Sequence, residues 1–344
     1  MSENANTSMN GTQPSSCYNP TAEKIGKTFA YCLIFLVSLA GNTFIVVIVY
    51  KTKTMRNSTN FLVVNMAMSD LLYPIFVLPR IITELYVDSW LISGVLGQAM
   101  CKLVHFFQDI SAVVSIESLV LIAMDRFGAV VFPLRPPFIS SKLCPFFILA
   151  TWIVAMAIHS PDVMVFRLVE SPEGLACATK WNEVFGESSS MENYYLVLTV
   201  IMFYIPLVLI AIVYVIIYYK LKAHTIPCEQ SVVSAAKQRA VKRERNVLNM
   251  AIAIVFGFVV CWVPFSIIII LHYFAWPKRF ICGMYYISSI AKLMSRANCA
   301  VNPCICFNFS ANYRQGLKNL SSFLSTTQQA PNQVNPQLQL GLIT

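Results

Sequence analysis

"RANCAVNPCICFNF", residues 296–309, closes a long apolar stretch, yet it carries Arg296, Asn298, Asn302 and Pro303. Two amides and an arginine are costly in an oily setting, and such groups are functional candidates by default. Pro303 has no backbone N–H and its ring clashes one turn back, so it loosens the helix that holds it. Cys299, Cys304 and Cys306 occupy places that any apolar residue could fill. The question is what setting lets an apolar helix keep these groups.

Composition supplies the setting. The chain has 344 residues, 57% hydrophobic and only 12% charged, against roughly 25% charged in ordinary soluble domains. A spanning helix takes about 20 mostly apolar residues. Seven such stretches run near 27–51, 60–86, 98–124, 143–166, 193–219, 247–272 and 281–307. The fold class is therefore all-α, a seven-transmembrane helix bundle over 27–308, with polar tails and no internal repeat.

Orientation follows from the ends and the charges. Residues 1–24 are polar and lack an apolar run before a cleavage site, so no signal peptide is expected. Asn6 and Asn10 head glycosylation sequons, which favour an extracellular tail over 1–26. Basic residues follow the first span (Lys51, Lys53, Arg56), the third (Arg135, Lys142) and the seventh (Arg314, Lys318), and seven more lie between Lys220 and Arg245. By the positive-inside rule these loops are cytoplasmic. The net charge of +9 is thus an orientation signal, with no nucleic-acid partner expected.

Seven spans with an outside N-terminus leave receptor, retinal protein, transporter and channel open. Many transporter folds show repeated halves, which are absent here, as is any re-entrant filter sequence. Enzymatic chemistry has no support: there is no nucleophile elbow, metal-spaced histidine pair or phosphate-cradling glycine loop. The deciding residues are polar ones inside the spans: Asn42, Asn65, Asp70, Asp109, Glu117, Lys292, Arg296, Asn298 and Asn302. Taken singly, each asparagine reads as interhelical glue.

Together they form a pattern. "GNTFIVVIV" in the first span, "NMAMSDLL" in the second and "AMDRFGAVVFPL" after the third resemble the rhodopsin-like G-protein-coupled receptors. Trp152, Pro206 with Tyr214, "FGFVVCWVPF" and "NCAVNPCIC" extend the resemblance over residues 27–320, in the family's order and spacing. The final span's amides and proline then form a water-lined hinge coupled to Asp70. The resemblance also implies an amphipathic cytoplasmic helix at 309–320 before a flexible tail at 321–344.

An unpaired carboxylate at Asp70 would be costly among apolar residues. The resemblance implies an allosteric sodium ion there, with oxygens from Ser115, Asn298 and Asn302, and no other cofactor. Pro264 and Pro303 are expected to loosen the sixth and seventh helices. At the cytoplasmic end the family uses Arg126, beside Asp125, as half of a latch; Glu244 is the expected partner, with Tyr214 and Cys306 near the same switch. Family members usually carry tyrosine at the places of Phe127 and Cys306, so two hydroxyls are missing. Cys101 and Cys177 correspond to the bridge between the second extracellular loop and the third helix. Cys17 and Cys282 suggest a second bridge, as in some peptide and chemokine receptors.

The resemblance also outlines a ligand cavity, with Glu84, His105, Gln108 and Asp109 on the second and third spans. Trp262, Phe265, His272, Lys292 and Arg296 complete it from the sixth and seventh. Amine receptors carry an aspartate where this chain has Gln108, and opsins carry the retinal lysine where it has Arg296; neither ligand is favoured. Gln108 is familiar among neuropeptide receptors. The Val169–Glu192 loop holds Glu170, Glu173, Glu183, Glu187 and Glu192 against Lys180 alone, which suits a basic peptide. Lys292 and Arg296 share one helix face and oppose that reading unless a salt bridge to Asp109 neutralises them. A lipid or small acidic ligand is the alternative, and a transporter or channel the competing class. The expected partners are an extracellular peptide, a heterotrimeric G protein and membrane lipid, at the plasma membrane.

Overall fold

The computed structural model describes residues 20–133, 135–172, 174–224, 235–274 and 282–328, without the side chains of 221–224, 235–244, 272–274, 282 and 323–328. Asn6, Asn10, Cys17 and Glu173 lie outside these residues, as do the side chains of Glu244, His272 and Cys282.

Seven helical passes form the bundle. The first is α1 (Pro20–Lys51). The second joins α2 (Ser58–Leu72) to α3 (Leu78–Glu84) through a wide π turn at Tyr73–Val77. The third is α4 (Gly94–Val131). The fourth is α5 (Cys144–Ile158) followed, after a break at His159, by α6 (Ser160–Val165). A hairpin, β1 (Phe166–Ser171) with β2 (Gly174–Thr179), and the short α7 (Trp181–Phe185) come next. The fifth pass joins α8 (Met191–Thr199) to α9 (Ile205–His224) through a second π turn at Val200–Tyr204. The last two are α10 (Ala235–Phe274) and α11 (Cys282–Phe309), and α12 (Ala311–Gln328) packs back against α1 and α11.

The π turns have a sequence cause. Pro79 and Pro206 lack the amide that would close the ordinary ladder, and a five-residue wide turn ends two residues before each. Likewise Pro161 follows the break at His159, so the fourth pass is shorter and more interrupted than its apolar run of 143–166 suggested. The first pass starts at Pro20 rather than near 27, and the last helix continues to Gln328, eight residues beyond the expected end at 320.

Among the described residues, five of the passes are long and apolar enough to cross a membrane by length and composition. The outward face of the bundle is oily: Phe29, Leu36, Phe146, Leu149, Val208, Ile212 and Phe256 are all exposed. Such a surface matches lipid, because soluble monomers rarely expose large contiguous apolar patches. Polar residues turn inward instead. Asn65 illustrates the arrangement: its amide donates to Ser118 Oγ at 2.9 Å and Thr151 Oγ1 at 3.1 Å, while Trp152 Nε1 donates to its Oδ1 at 2.8 Å. One buried amide thus ties α2, α4 and α5, as interhelical polar groups do in membrane bundles.

Candidate functional site

Pro303 lies inside α11 and leaves the carbonyl of Cys299, one turn earlier, without its usual amide donor. The first helix supplies the replacement. Asn42 Nδ2 donates to that carbonyl at 2.9 Å and Ser38 Oγ donates at 3.2 Å. Asn42 is braced in turn by the Ser38 carbonyl at 2.9 Å. The seventh pass therefore tolerates its proline because an amide on α1 satisfies the freed oxygen.

Asp70 is fully buried on α2. Ser115 Oγ donates to its Oδ1 at 3.0 Å, and Asn302 Nδ2 donates to its Oδ2 at 2.7 Å. Ser69 and Ser115 hydroxyls meet at 3.2 Å beside it. Asn298 and Asn302 each keep a buried Oδ1 with no hydrogen-bond partner among the described residues. A buried carboxylate and two orphaned amide oxygens are hard oxygen donors, the chemistry a small cation and water require. Nearby, Tyr73, Gln108, Ser111, Trp262, Arg296 and Asn298 line a cavity of about 10 Å³, the scale of a single water.

At the opposite end of the bundle from the disulfide, Arg126 donates to Asp125 Oδ2 at 2.6 Å and to Thr59 Oγ1 at 2.8 Å. Thr59 Oγ1 donates to the same carboxylate oxygen at 2.8 Å. This closed triangle fastens α4 to α2. Tyr214 has a buried hydroxyl without a hydrogen-bond partner among the described residues. Cys306 is fully buried in an apolar cluster with Ile48, Met250 and Tyr313. Tyr313 comes from α12, and its hydroxyl donates to Asn60 Oδ1 at 3.2 Å. Phe127 packs among aromatics, edge-on to Phe132 with centroids 6.0 Å apart.

Cys101 and Cys177 form a disulfide with Cα atoms 5.6 Å apart. It pins the β hairpin, in which Cys177 pairs with Leu168, onto α4. Gln98 reinforces the joint: its amide donates to the Phe166 carbonyl at 3.2 Å and its Oε1 accepts from Leu168 N at 2.9 Å. Below the hairpin, His105 stacks on Phe166 with centroids 3.8 Å apart and rings within 3° of parallel. The acidic segment is thus an ordered hairpin and a short helix rather than a plain loop.

A cavity of about 240 Å³ opens at this end between α1, α3 and α11. It brings together Glu84, Lys292 and Arg296 with Lys27, Tyr31, Tyr285 and Ser289. Glu84 accepts from Arg80 at 3.3 Å. Lys27 pairs with Glu23, and Tyr285 donates to Glu23 Oε1 at 2.7 Å. Trp262 and Phe265 meet edge-on at 6.2 Å on α10, and Trp262 lines the smaller cavity.

The expected salt bridge from Asp109 to Lys292 or Arg296 is not formed. Arg296 instead donates to the Tyr31 hydroxyl and places its guanidinium 5.3 Å from that ring's centroid. Asp109 lies on the opposite side of α4, with Oδ2 3.8 Å from His159 Nδ1. A single step round the helix from Gln108 is about 100°, enough to turn Asp109 from the seventh pass towards the fourth. Among the described residues, neither Lys292 nor Arg296 has a carboxylate within ion-pair distance.

The model of the family "7 transmembrane receptor (rhodopsin family)" matches residues 41–305. The chain belongs to that family. This receptor is 29% identical over 329 residues to a QRFP-like peptide receptor of Branchiostoma floridae, covering 93% of this chain and 81% of the relative. It is 30% identical to neuropeptide Y receptor type 1 of Xenopus laevis, over 92% of this chain and 87% of the relative. Neuropeptide FF receptor 2 of Rattus norvegicus is 28% identical, over 91% and 75%. As a rhodopsin-family receptor the protein is not an enzyme.

Sequence reasoning missed several residues of the receptor's cavity end. Glu23 and Lys27 were legible as an i,i+4 ion pair had the first helix been started earlier. Tyr31 carried no signal, since aromatic residues are common in apolar spans. His159 and Asp162 flank Ser160 and Pro161, and only the break in the fourth pass turns both side chains to one point.

Proposed function

We propose that this receptor lies in the plasma membrane with its N-terminus outside, binds a basic neuropeptide beneath the β hairpin, and activates a heterotrimeric G protein. The observation that carries the reading is near full-length similarity to neuropeptide receptors, over 92% of this chain in the case of the neuropeptide Y relative. Sequons at Asn6 and Asn10 and the basic loops support the orientation. Glu170, Glu183, Glu187 and Glu192 lie on the hairpin segment and the start of the fifth pass and favour a cationic ligand by long-range attraction. Gln108, His105, Glu84, Trp262, Phe265 and His272 are assigned to the peptide's contact surface.

Activation on this reading loosens α10 and α11 at Pro264 and Pro303 and frees Arg126 from Asp125, Thr59 and Glu244. A sodium ion held by Asp70, Ser115, Asn298 and Asn302 opposes the change by supporting the closed packing. The test is a screen of basic and amidated peptides on receptor-expressing cells, read as nucleotide exchange on G proteins. Peptide-dependent exchange is expected. Surface-expressed receptor that passes ionic current and never promotes exchange would favour the channel class.

A second reading has its own observation. Lys292 and Arg296 stand four residues apart on the wall of the larger cavity with no carboxylate partner among the described residues. Two cations so placed favour an acidic group on the ligand, whether a peptide side chain or a lipid or small acid. Lys292→Gln with Arg296→Gln should weaken acidic ligands selectively; equal loss for neutral and acidic ligands would remove this reading.

A further inference from the structure

We propose that Asp109, His159 and Asp162 form a zinc-binding site where the third, fourth and fifth passes meet. His159 Nδ1 lies 3.1 Å from Asp162 Oδ2 and 3.8 Å from Asp109 Oδ2. One donor atom from each of the three residues lies within 4.8 Å of the others. Zinc holds nitrogen and carboxylate oxygen at about 2.0–2.2 Å in a tetrahedron, so its ligand atoms stand roughly 3.3 Å apart. The histidine–Asp162 edge already has that length, and the Asp109 edge needs only a small rotation. Asp109 is the ligand able to make it, with its side chain 29% exposed while Asp162 is fully enclosed.

Charge supplies an independent reason. Two carboxylates meet here in an apolar bundle, and no lysine or arginine among the described residues lies within ion-pair distance of either. An imidazolium alone would leave one negative charge, to be met by a proton on one carboxylate or by a further cation. A divalent cation with a neutral imidazole balances both carboxylates. One imidazole and two carboxylates suit zinc better than magnesium, which prefers oxygen donors and retains its waters. A water would complete the tetrahedron as the fourth ligand.

The supporting shell is already in place. Tyr195 on α8 donates to Asp162 Oδ1, leaving Oδ2 for the metal. Tyr194 donates to the Ile158 carbonyl at 2.6 Å, which holds the fifth pass against the break that carries His159. A carboxylate oriented by an outer hydrogen bond is the usual construction of a metal ligand. Binding would therefore clamp α4 to the break before α6, with α8 joined through the Tyr195 hydrogen bond to Asp162.

The experiment uses full-length receptor purified through a tag without histidines, so it needs no identified peptide. Zinc chloride well above its dissociation constant should raise the thermal unfolding midpoint by roughly 2–6 °C, and magnesium chloride should not. Asp109→Asn and His159→Gln should each abolish the zinc shift. A shift of wild-type size in both variants, or none in the unaltered receptor, overturns the site. Should the variants fold poorly, cobalt(II) added to the unaltered receptor decides: d–d bands without thiolate charge transfer support the three residues, and a thiolate band or no spectrum overturns them. Because the readouts are metal binding alone, their failure leaves the peptide-receptor reading standing.

Discussion

Gly41 on α1 approaches Pro303 on α11 so closely that a Cβ at Gly41 would stand 2.6 Å from the proline's Cβ. That contact brings Ser38 and Asn42 within reach of the carbonyl that Pro303 leaves free. Gly41→Ala should therefore destabilise the receptor by about 1–3 kcal/mol, the range for overpacking against rigid atoms. Gly257→Ala meets Val301 Cγ1 at 2.8 Å and Ile305 Cδ1 at 3.0 Å, methyl groups that give more readily than a proline ring, and Gly26→Ala meets nothing within 4 Å. Thermal midpoints should fall in the order Gly41→Ala, Gly257→Ala, Gly26→Ala, the last unchanged or slightly raised by helix propensity. Equal midpoints for the first and last would contradict the close contact.

Asp70 and Asn302 share a 2.7 Å hydrogen bond beside two orphaned amide oxygens. Asp70→Asn keeps the shape but cannot offset a cation's charge. Sodium should lower agonist affinity in the unaltered receptor and have no effect in the variant, as read from radioligand competition in sodium and in a large organic cation. The same sodium response in both proteins would place the ion elsewhere.

Glu183 accepts from Lys180 Nζ at 2.8 Å, and this hydrogen bond holds its carboxyl below the usual carboxylate range. The paired lysine also cancels much of its long-range field, so Glu187 and Glu192 should dominate attraction of a basic peptide. Glu187→Gln with Glu192→Gln is expected to slow association roughly fivefold at low salt, and adding Glu183→Gln should change little more. High salt should shrink the loss. The depressed value means Glu183 stays ionised at neutral and mildly acidic pH and gives up its charge only below the ordinary carboxylate range. Its share of the association rate should hold between pH 7 and about pH 5. Stopped-flow association across salt and pH checks both statements.

Cys306 stands where the family usually has a tyrosine, and a missing hydroxyl suggests that Cys306→Tyr should raise basal activity. Packing reverses the expected sign. Cys306 is wholly enclosed in a cluster that includes Tyr313, so the larger ring has no room without displacing α12. Cys306→Tyr should lower the thermal midpoint and leave basal nucleotide exchange level or reduced at matched surface expression. Cys306→Ala should cost less. Raised basal exchange in a well-folded Cys306→Tyr receptor would show that the ring swings towards the unpartnered Tyr214 hydroxyl after all.

Much of the molecule was legible before any coordinates. Apolar runs in the sequence suggest seven spans, because a bilayer demands long apolar stretches and their order survives whatever the helices touch; the family's motifs carry the seventh, which is rich in polar residues. Asp70, Arg126, Asn302 and Pro303 were recognisable because polar groups and a mid-helix proline stand out against an apolar background. Side-chain direction was not legible in the same way. Asp109 was one helical step from the expected wall, and that step turned it from Arg296 to His159. Arg296 found Tyr31, an unremarkable aromatic 265 residues away in sequence. The acidic segment folded into a hairpin because the Cys101–Cys177 bridge and Gln98 hold its strands. Local pattern determines which segments become helices and which residues are costly there. Which partners meet that cost depends on helix rotation, breaks and close approach, and these are set only when all seven passes pack together.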